Sequence, residues 1–172
     1  MCKSLRTKIL FFNKLIILLS FFPSLLYAAQ IKPIESLDIN TDEGLYEAFN
    51  RCSAYYIVNT EQLKKNARQD YRLCMGSSKN LLDDMNCEFE KVMMDGVATE
   101  FYENPAVNFG KWSIAVAMDL FPNVSFEFVK NNAVNSVRAY SETYTKMGSF
   151  SDLEESKFCL ELKQKYPPDD ED

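Results

Sequence analysis

The chain contains no histidine, and only five glycines and six prolines among its 172 residues. Without an imidazole it lacks the one side chain that ordinarily titrates near neutral pH, and it lacks the commonest ligand for transition metals. Ser-His-Asp and Cys-His catalysis are therefore excluded. The Ser-Lys route is not signalled either, because no lysine after residue 28 has a serine three residues before it, and no G-x-S-x-G occurs. So little glycine and proline can build few tight turns, which favours long helices over many short strands. Internal repeats and low-complexity segments are also missing.

Apolar residues make up 47% of the chain, aromatics 13% and charged residues 26%, a profile that can bury a core. A single ordinary domain is expected at this length. Lys3, Arg6 and Lys8 open the chain with no acid among them, and an apolar stretch from Leu15 to Leu26 leads into Tyr27-Ala28-Ala29-Gln30. That order is the pattern of a secretory signal. Cleavage is expected after Ala28, since a cut after Ala29 would place bulky Tyr27 at the −3 position. No cysteine follows the cut, which argues against a lipid anchor. Asn13 and Lys14 interrupt the apolar run and leave about 12 to 15 residues, short of the about 20 that a spanning helix needs.

The expected organisation is a signal over 1–28, an extended lead-in over 29–40 containing Pro33, one helical domain over 41–166, and a disordered acidic tail over 167–172. Removing residues 1–28 takes away four bases and no acid, leaving 15 bases against 25 acids, a net charge of −10. Such a surface repels nucleic-acid phosphates and anionic lipid. The expected setting is the periplasm or the extracellular medium, with no stable membrane insertion after cleavage.

Export also removes Cys2 and leaves Cys52, Cys74, Cys87 and Cys159, an even number in a compartment where disulfides persist. The intervening gaps of 21, 12 and 71 residues lack the paired C-x-x-C spacing of zinc sites. Three pairings are possible. The favoured one joins Cys74 to Cys87 across a helix–helix turn and Cys52 to Cys159, tying the first helix to the last.

Apolar periodicity places five helices. The first starts at a capping box of Asn40 and Glu43, presents Leu45, Phe49, Cys52, Tyr56 and Leu63 on one face, and runs to about Leu73 with a break near Asn59-Thr60; Gly76-Ser77-Ser78 ends it. The second starts near Ser78 or Asn80 and carries Leu81, Leu82, Met85, Phe89, Val92, Met93, Val97 and Phe101 at helical spacing up to Asn104-Pro105. The third, from Pro105 to about Phe121, has so little polar surface that a central, buried place is expected. Ser125 caps a fourth helix carrying Phe126, Val129, Ala133, Val137, Tyr140 and Tyr144, closed by Gly148. A capping box of Ser151 and Glu154 opens the last, which reaches about Tyr166. The fold class that follows is an all-α, disulfide-stapled bundle of four to five helices.

Carboxylates are the remaining chemistry. Asp83, Asp84, Glu88 and Glu90, with Glu100 and Glu103 beyond them, read as a charged outer helix face rather than as a two-acid site. Asp38-x-Asn40-x-Asp42 starts like a calcium loop, but Glu43 stands where the glycine is required and Phe49 where the bidentate glutamate belongs. No catalytic, cofactor-binding or metal-ligating residue is assigned. One feature runs against the acidic background: Lys64, Arg68 and Arg72 recur at four-residue steps, with Lys65 beside them, and form a basic stripe if the first helix is continuous. That stripe is the candidate partner-binding face. Tyr46, Tyr55, Tyr56, Tyr71, Tyr102, Phe109 and Trp112 are core positions or the lining of a pocket. Asn123-Val124-Ser125 is a glycosylation sequon in a eukaryotic source.

The function expected is that of a non-enzymatic interaction module, an inhibitor- or immunity-type partner of another exported protein. The alternatives are a carrier of small hydrophobic ligands with an aromatic cavity near Trp112 and, last, a carboxylate-based hydrolase. Expression through an oxidising export pathway should yield a chain that begins at Ala29, with all four remaining thiols resistant to alkylation in the denatured state. Mass spectrometry of the alkylated protein checks this, and an uncut N-terminus with open thiols would contradict it.

Overall fold

The first helix is the longest element and sets the frame for the others. The computed structural model describes residues 32–147 and 153–167. The expected signal over 1–28, Gly148, Ser151 and residues 168–172 of the expected tail lie outside the described residues. Five α-helices occur among the described residues: α1 (Asp42–Ser77), α2 (Leu81–Ala98), α3 (Asn104–Leu120), α4 (Phe126–Met147) and α5 (Leu153–Lys165). No strand occurs among them, so the all-α expectation holds.

Local chemistry places the ends of these helices. Thr41, not Asn40, caps α1, its Oγ1 accepting from the Gly44 N–H at 3.1 Å. Asn40 is occupied instead by Asp38, whose Oδ1 accepts from both the Asn40 backbone and side-chain nitrogens. Gly44 is required at this start, because a Cβ there would lie 2.1 Å from the Asp38 carbonyl oxygen. The expected break at Asn59-Thr60 does not occur. Both side chains donate to the carbonyls one turn back, at Tyr55 and Tyr56, and so join the helix rather than interrupt it. Asn80 caps α2 by accepting from Leu82 and Asp83.

The second helix does not stop at Asn104-Pro105. The chain continues through a π-helical turn, Thr99–Glu103, directly into α3. Pro105 has no N–H to donate to the preceding turn. The wider turn absorbs that loss, with the Asn104 N–H reaching back five residues to the Thr99 carbonyl. Helices α2 and α3 thus form one interrupted rod.

The rods run up and down. Helix α3 is antiparallel to α1, with Ser53 Oγ donating to the Ala106 carbonyl at 2.8 Å and Ser113 Oγ to Asn50 Oδ1 at 2.8 Å. These bonds are buried and fix the register of the pair. Helix α4 lies alongside α1 in the same direction, since Tyr140 bonds Glu47 and Tyr144 bonds Arg51. Among α3 residues, Pro105, Ala106, Phe109, Ser113 and Ala117 are buried while Ala115 and Lys111 are exposed, so α3 is buried along one face rather than all round. Phe126 is 53% exposed, and Val129 and Ala133 carry the buried face of α4.

The core gathers Ile34, Ala48, Phe49, Cys52, Tyr56, Ala106, Phe109, Cys159 and Leu162. Phe49 and Phe109 pack against Trp112 at ring distances of 5.6 and 5.2 Å, and Tyr166 closes edge-on over Phe49 at 5.2 Å. The lead-in is not extended throughout: Ile34–Ser36 form a 3-10 turn that puts Ile34 into the core, 2% exposed.

Two disulfides are present, with the favoured pairing: Cys52–Cys159, Cα atoms 5.4 Å apart, and Cys74–Cys87, 5.7 Å apart. The first binds α5 to the first third of α1, and the second closes the α1–α2 hairpin. A buried latch adjoins the first. Arg51, 2% exposed, sends Nη2 to both carboxylate oxygens of Glu155 at 3.1 Å, and the Tyr144 hydroxyl donates to the same carboxylate. Burial alone would lower the Arg51 pKa, but Tyr144 and Glu155 hold it above the ordinary value. Burial, and after it the charge of Glu155, drives the Tyr144 phenol well above its usual range, so it remains a donor.

Three outcomes follow for stability. Losing Cys52–Cys159, which spans 107 residues, should cost up to about 5 kcal/mol, and losing Cys74–Cys87, spanning 13, about 3 kcal/mol. Denaturant titration of the paired alanine variants checks the order, and the reverse order would contradict it. Glu155→Ala should cost about 3–5 kcal/mol by stranding Arg51, whereas replacing Arg51 and Glu155 together with Met and Leu should cost far less. Equal losses in the two variants would refute the latch. Burial pushes the Tyr56 phenol up to about 12, with Tyr55 and Tyr102 adding to the effect. The unfolded phenol loses its proton near pH 10 and the folded one near 12. Stability present below pH 10 should therefore fall across that window by about 1.4 kcal/mol per pH unit, a slope that Tyr56→Phe reduces. Denaturation midpoints at stepped pH measure it, and an unchanged slope in Tyr56→Phe would contradict it.

Candidate functional site

Helix α1 has 36 residues and is about 54 Å long, whereas α3 and α4, at 17 and 22 residues, reach only about 26 and 33 Å. The distal turns of α1 therefore extend past the bundle and pack against α2. Cys74–Cys87, a Tyr71 hydroxyl bonded to Glu88, and Lys91 lying 5.5 Å from the Tyr71 ring centre hold this two-helix arm together.

A two-helix arm can cover only one face of each helix. At 100° per residue, Cys87 and Ala98 of α2 point toward α1, and both are buried. The residues expected from their spacing to line a core lie on the opposite side. Leu81 is 73% exposed, Leu82 71%, Met85 60%, Phe89 65%, Val92 61% and Met93 53%. Gly96 continues the stripe, with nothing near the place of its missing Cβ. Together these side chains offer on the order of 600 Å² of apolar surface, at the upper limit of what a monomer usually exposes.

Acids border the stripe on both sides. Asp83 and Glu90 fall along one flank, Glu88 and Asp95 along the other, and α2 as a whole holds five acids and one base. Five of the six candidate carboxylates have a local partner rather than a shared site. Asp83 accepts from the Lys79 backbone, Asp84 from Ser78, Glu88 from Tyr71, Glu100 from Asn104 and Glu103 from Lys64.

The basic stripe is continuous along α1, but its members face different surroundings. Lys64 Nζ is 2.7 Å from Glu103 Oε2 on the π turn, and this pairing lowers the Glu103 pKa. Arg68 faces a groove between α1 and α4, and Arg72 is exposed on the arm. That groove, about 700 Å³, also receives Lys65 from α1 and Arg138 and Lys146 from α4, along with the acids Glu61 and Glu142. Sequence spacing links residues on a single helix, so Arg138 and Lys146 were not legible as part of this cluster. Beside it, an apolar cleft of about 390 Å³ lies between α1, α3 and α4 and is walled by Ile57, Val107, Gly110, Ile114, Val134 and Val137.

Trp112 belongs to the packed ring cluster with Phe49, Phe109 and Tyr166, so the cavity expected beside it is filled by aromatic side chains. Tyr56 likewise packs on Tyr55, Tyr102 and Phe109. Among the described residues no helix is long and apolar enough to cross a membrane. In comparisons with known proteins, the chain matches no family model, no curated protein and no solved structure at a significant level.

Proposed function

We propose that the protein is an exported, non-enzymatic interaction module that docks its partner on the outer face of α2. The observation that carries this reading is the row of six large apolar side chains, each more than half exposed, on an arm closed by a disulfide. Burying a face of this size approaches the about 800 Å² per partner of a stable complex. The staple also means that little conformational entropy is lost when the arm docks.

The flanks choose the partner. Acids on both edges of the apolar stripe complement a helical segment whose own apolar stripe is bordered by Lys or Arg. A second copy of this chain would set acidic flank against acidic flank, which disfavours self-association. The candidate partner is therefore a basic, helix-forming segment of another exported protein, consistent with an inhibitor- or immunity-type role. Periplasmic or secreted location belongs to this proposal, supported by the leader-like N-terminus and the two disulfides.

The test uses synthetic helical peptides with leucines at alternating three- and four-residue spacing, flanked by lysines or by glutamates. The lysine peptide should bind saturably, and the glutamate peptide should not. Phe89→Glu should weaken binding about tenfold or more without moving the melting temperature, because Phe89 is exposed. Equal binding of both peptides, or an isolated protein that dimerises through α2, would overturn the assignment.

A further inference from the structure

We infer that the joined clefts between α1, α3 and α4 form a binding site for a free, single-chain amphiphile with an anionic head. This inference rests on different residues from the α2 docking face and stands or falls separately. The two clefts meet along Ile57 and Glu61, which line both. The apolar one, about 390 Å³, lies within the about 300–1,000 Å³ typical of ligand pockets. Its walls stay open to an aliphatic chain: Val107 is 52% exposed, Val134 45% and Ile57 37%, although all three face the same recess. Gly110 keeps the floor low, since it has no side chain where α1 and α3 come close.

The neighbouring groove supplies the charge. Four bases, Lys65, Arg68, Arg138 and Lys146, converge there against two acids, Glu61 and Glu142, in a chain whose net charge is −6. Among the described residues none of the four bases has a salt-bridge partner within 4.0 Å. Arginines on two facing helices can bind a carboxylate or phosphate with paired hydrogen bonds. An alkyl tail lying along Ile114, Val134 and Val137 would deliver its head to this cluster. The prevailing acidity of the surface opposes contact with an anionic bilayer, which favours a free amphiphile over a membrane.

Methyl-labelled protein titrated with monomeric dodecanoate, with dodecyltrimethylammonium and with phosphatidylglycerol vesicles tests the assignment by NMR. Dodecanoate should shift the methyls of Ile57, Ile114, Val134 and Val137 saturably, and the cationic amphiphile should leave them in place. Arg68→Glu with Arg138→Glu, both at exposed positions, should raise the Kd at least about tenfold. Gly110→Leu should block the cleft and abolish the shifts, and Phe89→Glu should leave them unchanged. Shifts confined to Leu81, Leu82 and Val92, equal responses to both head charges, indifference to the double charge reversal, or binding to vesicles alone would each overturn it.

Discussion

The structure depends on a mismatch of length. Helix α1 outruns α3 and α4 by about 20 Å or more, and among the described residues no third element covers the excess. Two packed helices can bury only their shared seam. The outer stripe of α2 is therefore left facing solvent, although its spacing is that of a core helix. Cys74–Cys87 keeps the arm closed where the core does not reach it. One geometric fact thus accounts for both the staple and the open apolar face.

The proximal half of α1 has the opposite character. Its buried positions alternate between aromatic packing and polar contacts that fix register: Phe49 and Tyr56 against α3 and α5, Asn50 and Ser53 bonded to α3, Arg51 latched to α5 and α4. An ion pair this deeply buried contributes less by its attraction than it would cost if either partner were lost. Its effect is to make α5 dock in one arrangement. Cys52–Cys159 then makes that arrangement hard to leave, so the bundle end is rigid while the arm presents a surface.

Much of the fold was legible from period and punctuation. The helix count, the start of α2 near Asn80, the cap at Ser125 and the favoured disulfide pairing agree with the structure. Three features were not legible, for physical reasons. The π turn replaces a break because Pro105 removes a single hydrogen bond, and a wider turn absorbs the loss without reversing the chain. The exposure of α2 was hidden because periodicity reports that a helix has an apolar face, not what covers it. The partnership of Arg51 with Glu155 joins residues 104 apart, and no local pattern marks it. Of the candidate site, the stripe of Lys64, Arg68 and Arg72 depends on the first helix being continuous, and α1 runs unbroken through all three. Only the packing of α4 beside α1 shows that Arg68 shares a groove with Arg138 and Lys146.

Oxidation of methionines in the free monomer tests the open α2 face most directly. Met85 and Met93 are 60% and 53% exposed on the stripe, whereas Met118 is half-buried on α3. Under limiting peroxide, with products mapped by mass spectrometry, Met85 and Met93 should convert to sulfoxide well before Met118. If Met85 and Met93 were as slow as Met118 in a chain shown to be monomeric, the face would be covered from within, and the account of an arm built for docking would fail.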